Sequence, residues 1–290
     1  MLLTSAIITG LGLGAMYGLL ALGFHITYVV SNTVNFSQGS SMMLGAVLGY
    51  TFAVTLGWPM PFAVILALAL CGVFGLAVER FLVRPFADRG SNAWLMATIA
   101  GGIVLDNVVL FTFGKEPRSF PSPLATDAIN VMGVGAYPLQ LIIPVVGIVA
   151  AAIFSFVLRN TKYGIAMLAV VQNAEAARLM GIDTRFVIAG AFALSTMLAG
   201  VAGLLIAPLF NVSAGMGLVF RIKAFAAAIL GGITSAWGVV IAGLLYDLVE
   251  ALTTAFLGST YTQIVAFSMI IAALFFMPNG LLGSAGIKKV

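Results

Sequence analysis

Apolar runs of about twenty residues follow one another almost end to end in this chain. A helix of about 20 residues, rising 1.5 Å per residue, is what crosses a hydrocarbon core about 30 Å thick. Of the 290 residues, 62% are hydrophobic and only 8% are charged, against about 25% charged in a soluble domain. Mean hydropathy is +1.16, and a soluble fold is excluded. No run shows the ten-residue alternation of a membrane β-barrel, and a lipid-exposed backbone must satisfy its own hydrogen bonds. The expected fold class is therefore an all-α polytopic membrane protein, with residues 1–290 forming a single transmembrane domain.

The sequence places spans at Ser5–Val30, Phe36–Leu56, Pro61–Glu79, Ala93–Phe113, Pro138–Leu158, Phe186–Ile206, Trp237–Leu257 and Tyr261–Met277. A further run, Ile222–Ile233, is seventh in chain order and short for a crossing. Gly215, Gly217, Gly231 and Gly232 flank it, so a tilted, broken or re-entrant element is expected there. The expectation is about eight transmembrane helices plus one irregular element. Met1 to Thr4 carries no basic segment and opens a run too long for a signal peptide, so the first span is expected to be retained. Cys71, the single cysteine, excludes an intramolecular disulfide and reads as a small buried hydrophobe.

Basic residues set the expected orientation. Arg80, Arg84, Arg89, Arg159, Lys162, Arg178, Arg185, Lys288 and Lys289 fall in one set of loops, nine in all. The opposite set holds Lys115 and Arg118, with Arg221 and Lys223 as less firmly placed additions. The positive-inside rule puts the nine in the cytoplasm, the N-terminus outside and the C-terminus inside. The largest exterior loop is then 114–137, made extended by Pro117, Pro121 and Pro123 and expected to cover an outer face. A net charge of +4 suits the cytoplasmic surface of a membrane and calls for no nucleic acid.

Much chemistry is absent. Gly114-Lys115 is followed by Glu116 and lacks the earlier glycine of a phosphate loop, so the chain is not expected to hydrolyse ATP itself. One histidine and one cysteine supply no zinc, haem or iron–sulfur ligand set. With His25 in mid-span, no Ser/His/Asp arrangement can be argued. The chain reads as non-catalytic, with no cofactor and no metal.

Three polar features stand out against the apolar background. Asp106, Asp247, Glu250 and His25 lie inside spans, where an ionisable group is costly to bury and is a functional candidate by default. Asp247 and Glu250 are three apart and share a helix face; interhelical bonding is the competing reading. Before the second span, Asn35, Gln38, Ser40 and Ser41 group amides and hydroxyls around Gly39, either as a helix start that receives a solute or as an ordinary turn. Residues 159–185 form a polar island in which Asn173 is an N-cap, Ala174–Met180 favours helix and Gly181 is a stop. A helix that short needs a docking groove to order it.

Asn35-Phe36-Ser37-Gln38-Gly39, with Met42-Met43-Leu44-Gly45-Ala46, resembles the N-F-[AS]-[HQ]-G-x-x-x-M-L-G-A signature of permease subunits of branched-chain amino-acid ABC importers. Glu79-Arg80 with Arg84-Pro85, Ala97-Thr98-Ile99 and Gln172 to Ile182 agree in order. Lys223 to Ile233 is similar to that family's G-x-K-A-F-x-A-A-x-L-G-G segment, and Pro278-Asn279-Gly280-Leu281-Leu282-Gly283 to its closing P-x-G-L-x-G. The resemblance spans nearly the whole chain. Ser40 replaces a frequent acidic residue, Leu168 a basic one and Met277 an arginine; the later I-x-L-P of the broader permease motif is missing.

The resemblance implies a multi-pass protein of the bacterial inner membrane that passes a small polar solute by alternating access. The solute would be a branched-chain or related amino acid. The implied partners are a second permease subunit, two cytosolic ATP-binding subunits and an extracytoplasmic solute-binding protein. Each ATPase would grip one short helix, here Glu175, Ala176, Ala177, Arg178 and Gly181. The translocation path is expected along Asn35, Gln38, Ser40 and Ser41 and along Gly231 and Gly232, whose lack of a side chain allows close backbone approach. A proton-coupled secondary carrier and a passive urea or amide channel are the alternative functions.

Overall fold

A computed structural model describes residues 2–131 and 133–283; Lys288, Lys289 and the C-terminus lie outside the described residues. The chain runs through α1 (Leu2–Ser31), α2 (Gln38–Tyr50), α3 (Met60–Ala77), α4 (Arg84–Ala87), α5 (Trp94–Phe113), α6 (Pro138–Asn160), α7 (Lys162–Gln172), α8 (Ala174–Leu179), α9 (Thr184–Ile206), α10 (Gly217–Gly231), α11 (Ala236–Phe256) and α12 (Ser259–Phe276). A π-helical turn, Thr51–Thr55, prolongs α2, and another, Val78–Val83, joins α3 to α4. Seven helical stretches among the described residues are long and apolar enough to cross a membrane: α1, Met60–Ala87, α5, α6, α9, α11 and α12. The expected second span is helical from Gln38 to Thr55, with a polar start, and is not among the seven.

Helix α1 is the hub. It is buried continuously from Gly14 to Thr27, and α6, α9, α10 and α11 pack around it. Its Gly10, Gly14 and Gly18 repeat every fourth residue, so all three lie on one face and let α11 approach backbone to backbone. A Cβ on Gly14 would stand 2.8 Å from Gly243 O and Leu244 Cα. Association without a hydrophobic force between helices depends on such close contacts. By contrast α5, α6 and α12 are largely exposed on the helix bundle, as lipid-facing or partner-facing helices are.

The basic residues gather at one end. Arg84 pairs with Glu79 through two parallel bonds of 2.9 and 2.6 Å, a planar fork that lysine could not supply. Arg185 reaches Asp88 at 3.7 Å, tying the start of α9 to the segment after α4. The 114–137 loop lies at the other end of α5 and α6. It is not wholly extended: a 3-10 turn at Pro123–Ala125 precedes a hairpin of β1 (Ile129–Val131) and β2 (Val134–Ala136), in register Ile129 to Ala136. Arg118 pairs through its backbone with Val212 in the segment after α9, and buried Phe120 joins Val109, Phe113 and Val212 in a small core.

Two expectations are corrected. The seventh run is not broken. α10 is a continuous fifteen-residue helix that begins before Ile222 and stops at Gly231; at about 22 Å it is short of a full crossing. Its positive-φ residue is Gly232, just beyond the end. Arg221 and Lys223 are likewise not loop charges, because both lie within α10; Arg221 is buried and Lys223 half-buried.

The irregular backbone at membrane depth is instead the segment 32–37. Asn32 takes a positive φ of 55°, and Thr33, Val34, Asn35 and Ser37 are buried. From there Gln38 bonds Ser195, midway along α9, and Ser40 bonds Gly102, near the middle of α5. Helix α2 therefore starts at about half depth. Such backbone is tolerated in a membrane only where protein or a cavity surrounds it, and here protein does.

Candidate functional site

At the start of α2, Asn35 and Ser41 bond Ser37, whereas Gln38 bonds Ser195 of α9 and Ser40 bonds Gly102 of α5. Asn35 Oδ1 accepts from Ser37 N at 3.1 Å and from the Ser37 hydroxyl. Ser41 donates to Ser37 O at 3.0 Å, and Ser40 to Gly102 O at 3.2 Å. Gln38 and Ser195 bond reciprocally: Gln38 Nε2 donates to Ser195 O at 2.9 Å, and Ser195 Oγ lies 3.0 Å from Gln38 Oε1 and 2.9 Å from Gly23 O. Asn35 Nδ2 is buried with no partner. Asn35, Gln38, Ser40 and Ser41 are all almost fully buried at the start of α2, Asn35 and Ser41 linked through Ser37 and the other two tied to neighbouring helices.

Gly231 and Gly232 are not part of that cluster. They lie at the far end of α10, where Gly231 meets Gly238 and Gly232 meets Asn279 and Gly283, all through backbone. Leu281 N and Leu282 N donate to Leu230 O and Gly231 O, so the closing Pro278-to-Gly283 stretch caps α10. The other end of α10 meets α2, with Gly217 packed on Gly39. One turn further, Arg221 Nη1 donates to Phe36 O at 3.2 Å, while Asp106 faces Ser40 and Arg221. His25 bonds Ile233 O at 2.7 Å and sits edge-on to Phe154, which makes it an interhelical tie.

The other intramembrane charges meet on the opposite flank of α1. Lys223 Nζ lies 2.7 Å from Glu250 Oε2 and 5.7 Å from the centre of the Tyr17 ring. Asp247, one helical turn before Glu250, is also buried. All four line a cavity of about 470 Å³ between α1, α10, α11 and α12. Sequence reasoning counted Arg221 and Lys223 only as less firmly placed charges of the exterior side and gave them no role, although Lys223 fell within the run Ile222–Ile233. The available signal was their position, with an apolar stretch on either side, for an ionisable residue inside a span is a functional candidate by default.

At the basic end, α8 has the ends its sequence predicts. Asn173 Oδ1 accepts from Glu175 N and Ala176 N, both at 3.0 Å, and Gly181 takes a φ of +84°. Ala177 is buried and fastens the helix to the core. Glu175, Ala176, Arg178 and Gly181 are exposed, and Arg178 Nε donates to Thr184 Oγ1 at 2.7 Å. Leu179 and Met180 are 89% and 82% exposed, an apolar tip beside charged residues.

The family model described as the permease component of a branched-chain amino acid transport system matches residues 6–274, from α1 into α12. The chain is 30% identical over 294 residues to the high-affinity branched-chain amino acid transport system permease protein LivH of Escherichia coli (strain K12), covering 97% of this chain and 96% of that protein. To BraD of Pseudomonas aeruginosa it is 30% identical over 300 residues, covering 98% and 97%. To a probable LivH of Methanocaldococcus jannaschii it is 27% identical over 277 residues, covering 91% and 88%. Among solved structures, PsaBC from Streptococcus pneumoniae in complex with Fab aligns with a TM-score of 0.48 and 12% identity, over 93% of this chain and 91% of that one. The chain belongs to the branched-chain amino acid permease family, and it is a permease subunit of an ABC importer.

Proposed function

We propose that this permease carries branched-chain or closely related amino acids inward by alternating access. A binding protein delivers the solute to the end bearing the 114–137 loop, and ATPase subunits grip α8 at the basic end of the chain. The observation that carries the reading is the near-full-length match to permeases named for branched-chain amino acids. The capped, six-residue α8 supports it, because its Leu179 and Met180 form an exposed apolar tip beside charged residues at the basic end.

The assembly we infer holds two permease subunits, two ATPases and one binding protein in a bacterial inner membrane, with the N-terminus outside. Without the two charges of α10, nine basic residues still face Lys115 and Arg118 alone, and the positive-inside rule gives the same orientation. Asn35, Gln38, Ser40 and Ser41 are proposed to line the path in a state in which α2 and α10 separate, with Gly231 and Gly232 acting as the backbone contact about which α10 moves. The whole chain is read as one permease domain, with 159–185 as its coupling loop.

The test is uptake into proteoliposomes holding the permease, its partner permease and the ATPases, supplied with the binding protein. ATP-dependent accumulation of L-leucine, L-isoleucine or L-valine that vanishes without binding protein is the expected result. Accumulation driven by a proton gradient without ATP, and lost in Asp247→Asn with Glu250→Gln, would instead establish a proton-coupled carrier, the reading that the buried carboxyl pair favours.

A further inference from the structure

The cavity beside α1 has two acidic side chains and one basic one on its wall. Two buried carboxyls, Asp247 and Glu250, share a single ammonium, Lys223. Lys223 satisfies Glu250 Oε2, whereas Glu250 Oε1 is buried with no hydrogen-bond partner among the described residues. Two carboxyls buried side by side hold one proton between them rather than two charges, so a ligand ammonium that displaces that proton can sit beside the unpartnered Glu250 Oε1. The space, about 470 Å³, falls in the about 300–1,000 Å³ range of small-ligand pockets.

The rest of the wall narrows the chemistry. Leu13, Phe210 and Phe220 offer an apolar surface, and Thr9 and Thr254 add hydroxyls. Lys223 has three N–H donors and uses one on Glu250, which leaves donors for an incoming carboxylate. A smaller cavity shares Thr9, Leu13 and Phe210 and continues to Tyr137 and Gln140 at the end bearing the 114–137 loop. A ligand with an ammonium, a neighbouring carboxylate and a short apolar tail complements this arrangement.

We propose that the cavity between α1, α10, α11 and α12 is a transit site for a small apolar α-amino acid zwitterion. Its ammonium takes Glu250 and Asp247, its carboxylate takes Lys223, and its side chain lies against Phe210 and Phe220. The proposal rests on the amino-acid reading of the function, and it places the solute away from the polar start of α2.

The experiment is equilibrium binding of tritiated L-leucine to the full complex in nanodiscs, without binding protein and without ATP. Saturable binding is expected, weakened about tenfold or more in Glu250→Gln and in Lys223→Met, the loss due for one charged hydrogen bond. Unlabelled 4-methylpentanoate, which lacks the ammonium, and 3-methylbutylamine, which lacks the carboxylate, should each compete about tenfold less well than leucine. Ala255→Phe, which fills the cavity from an uncharged wall position, should also lose binding while keeping the wild-type melting temperature; it guards against charge variants that fail to fold. Wild-type affinity in folded Glu250→Gln or Ala255→Phe overturns the site, as does an amine that competes as well as leucine. No saturable binding, with ATP-driven leucine uptake intact, overturns the site alone; no leucine uptake by a complex that imports another class of solute overturns the amino-acid reading as well.

Discussion

Gln38 and Ser195, on α2 and α9, exchange two hydrogen bonds at 2.9 and 3.0 Å in the buried middle of the bundle. The same Ser195 hydroxyl lies 2.9 Å from Gly23 O of α1, a second acceptor that competes for its one proton. The pair ties the half-depth start of α2 to the two helices that flank it, and it replaces the water that a polar turn would otherwise need.

Gln38→Leu removes both bonds of the tie and leaves Ser195 Oγ with Gly23 O, whereas Ser195→Ala keeps Gln38 Nε2 on the backbone Ser195 O and leaves Gln38 Oε1 without its donor. Gln38→Leu or Ser195→Ala should each destabilise the purified chain by about 1–3 kcal/mol, and the double variant should lose less than the sum, because bonded neighbours couple by about 0.5–3 kcal/mol. Thermal unfolding in detergent provides the measurement. Strict additivity would mean that the two side chains do not bond in the native protein.

A second cycle concerns Lys223 and Glu250, 2.7 Å apart with the carboxylate side chain 5% exposed. Lys223→Met alone strands a buried carboxylate and should cost about 3–5 kcal/mol. Lys223→Met with Glu250→Met should recover part of that loss. If the double variant melts below the single one, the charge pair is not the stabilising unit.

Glycine contacts between α2 and α9 allow a sharper contrast. A side chain on Gly203 would strike Met42 O, whereas Gly190, on the same helix, has nothing within 4 Å. Gly203→Val should lower stability by about 1–3 kcal/mol or prevent assembly. Gly190→Ala should raise it by up to about 1 kcal/mol through helix propensity. Equal melting points for the two would refute the packing described for α9.

Coupling through α8 is tested by substitutions that spare the membrane helices. Gly181→Pro cannot adopt the φ of +84° that proline's ring forbids, and Ala177→Arg forces a charge into the seat that fastens α8. Both proteins should reach the membrane at wild-type levels and lose solute-stimulated ATP hydrolysis in the reconstituted complex. Full stimulation in either would mean that the ATPase engages another surface.

The membrane helices, the limits of α8 and the family were legible in the order of the residues. Runs of apolar residues near bilayer length permit little else, Asn173 and Gly181 are local devices that act within one turn, and the ordered motifs from Asn35 to Gly283 carry the kinship. Only the tertiary structure decided where polar groups sit in depth. Helices that are apolar on every side carry little periodic signal to separate a buried face from a lipid-facing one, so Arg221 and Lys223 read as charges of the exterior side although both belong to α10. The polar stretch before α2 reads equally well as a helix start that receives a solute or as an ordinary turn. What placed it at half depth is partners distant in the chain, Ser195 and Gly102, and what joined Lys223 to Glu250 is the packing of α10 on α11. Such pairings follow from which helices lie side by side, a choice made by close backbone contacts at glycines far apart in the sequence.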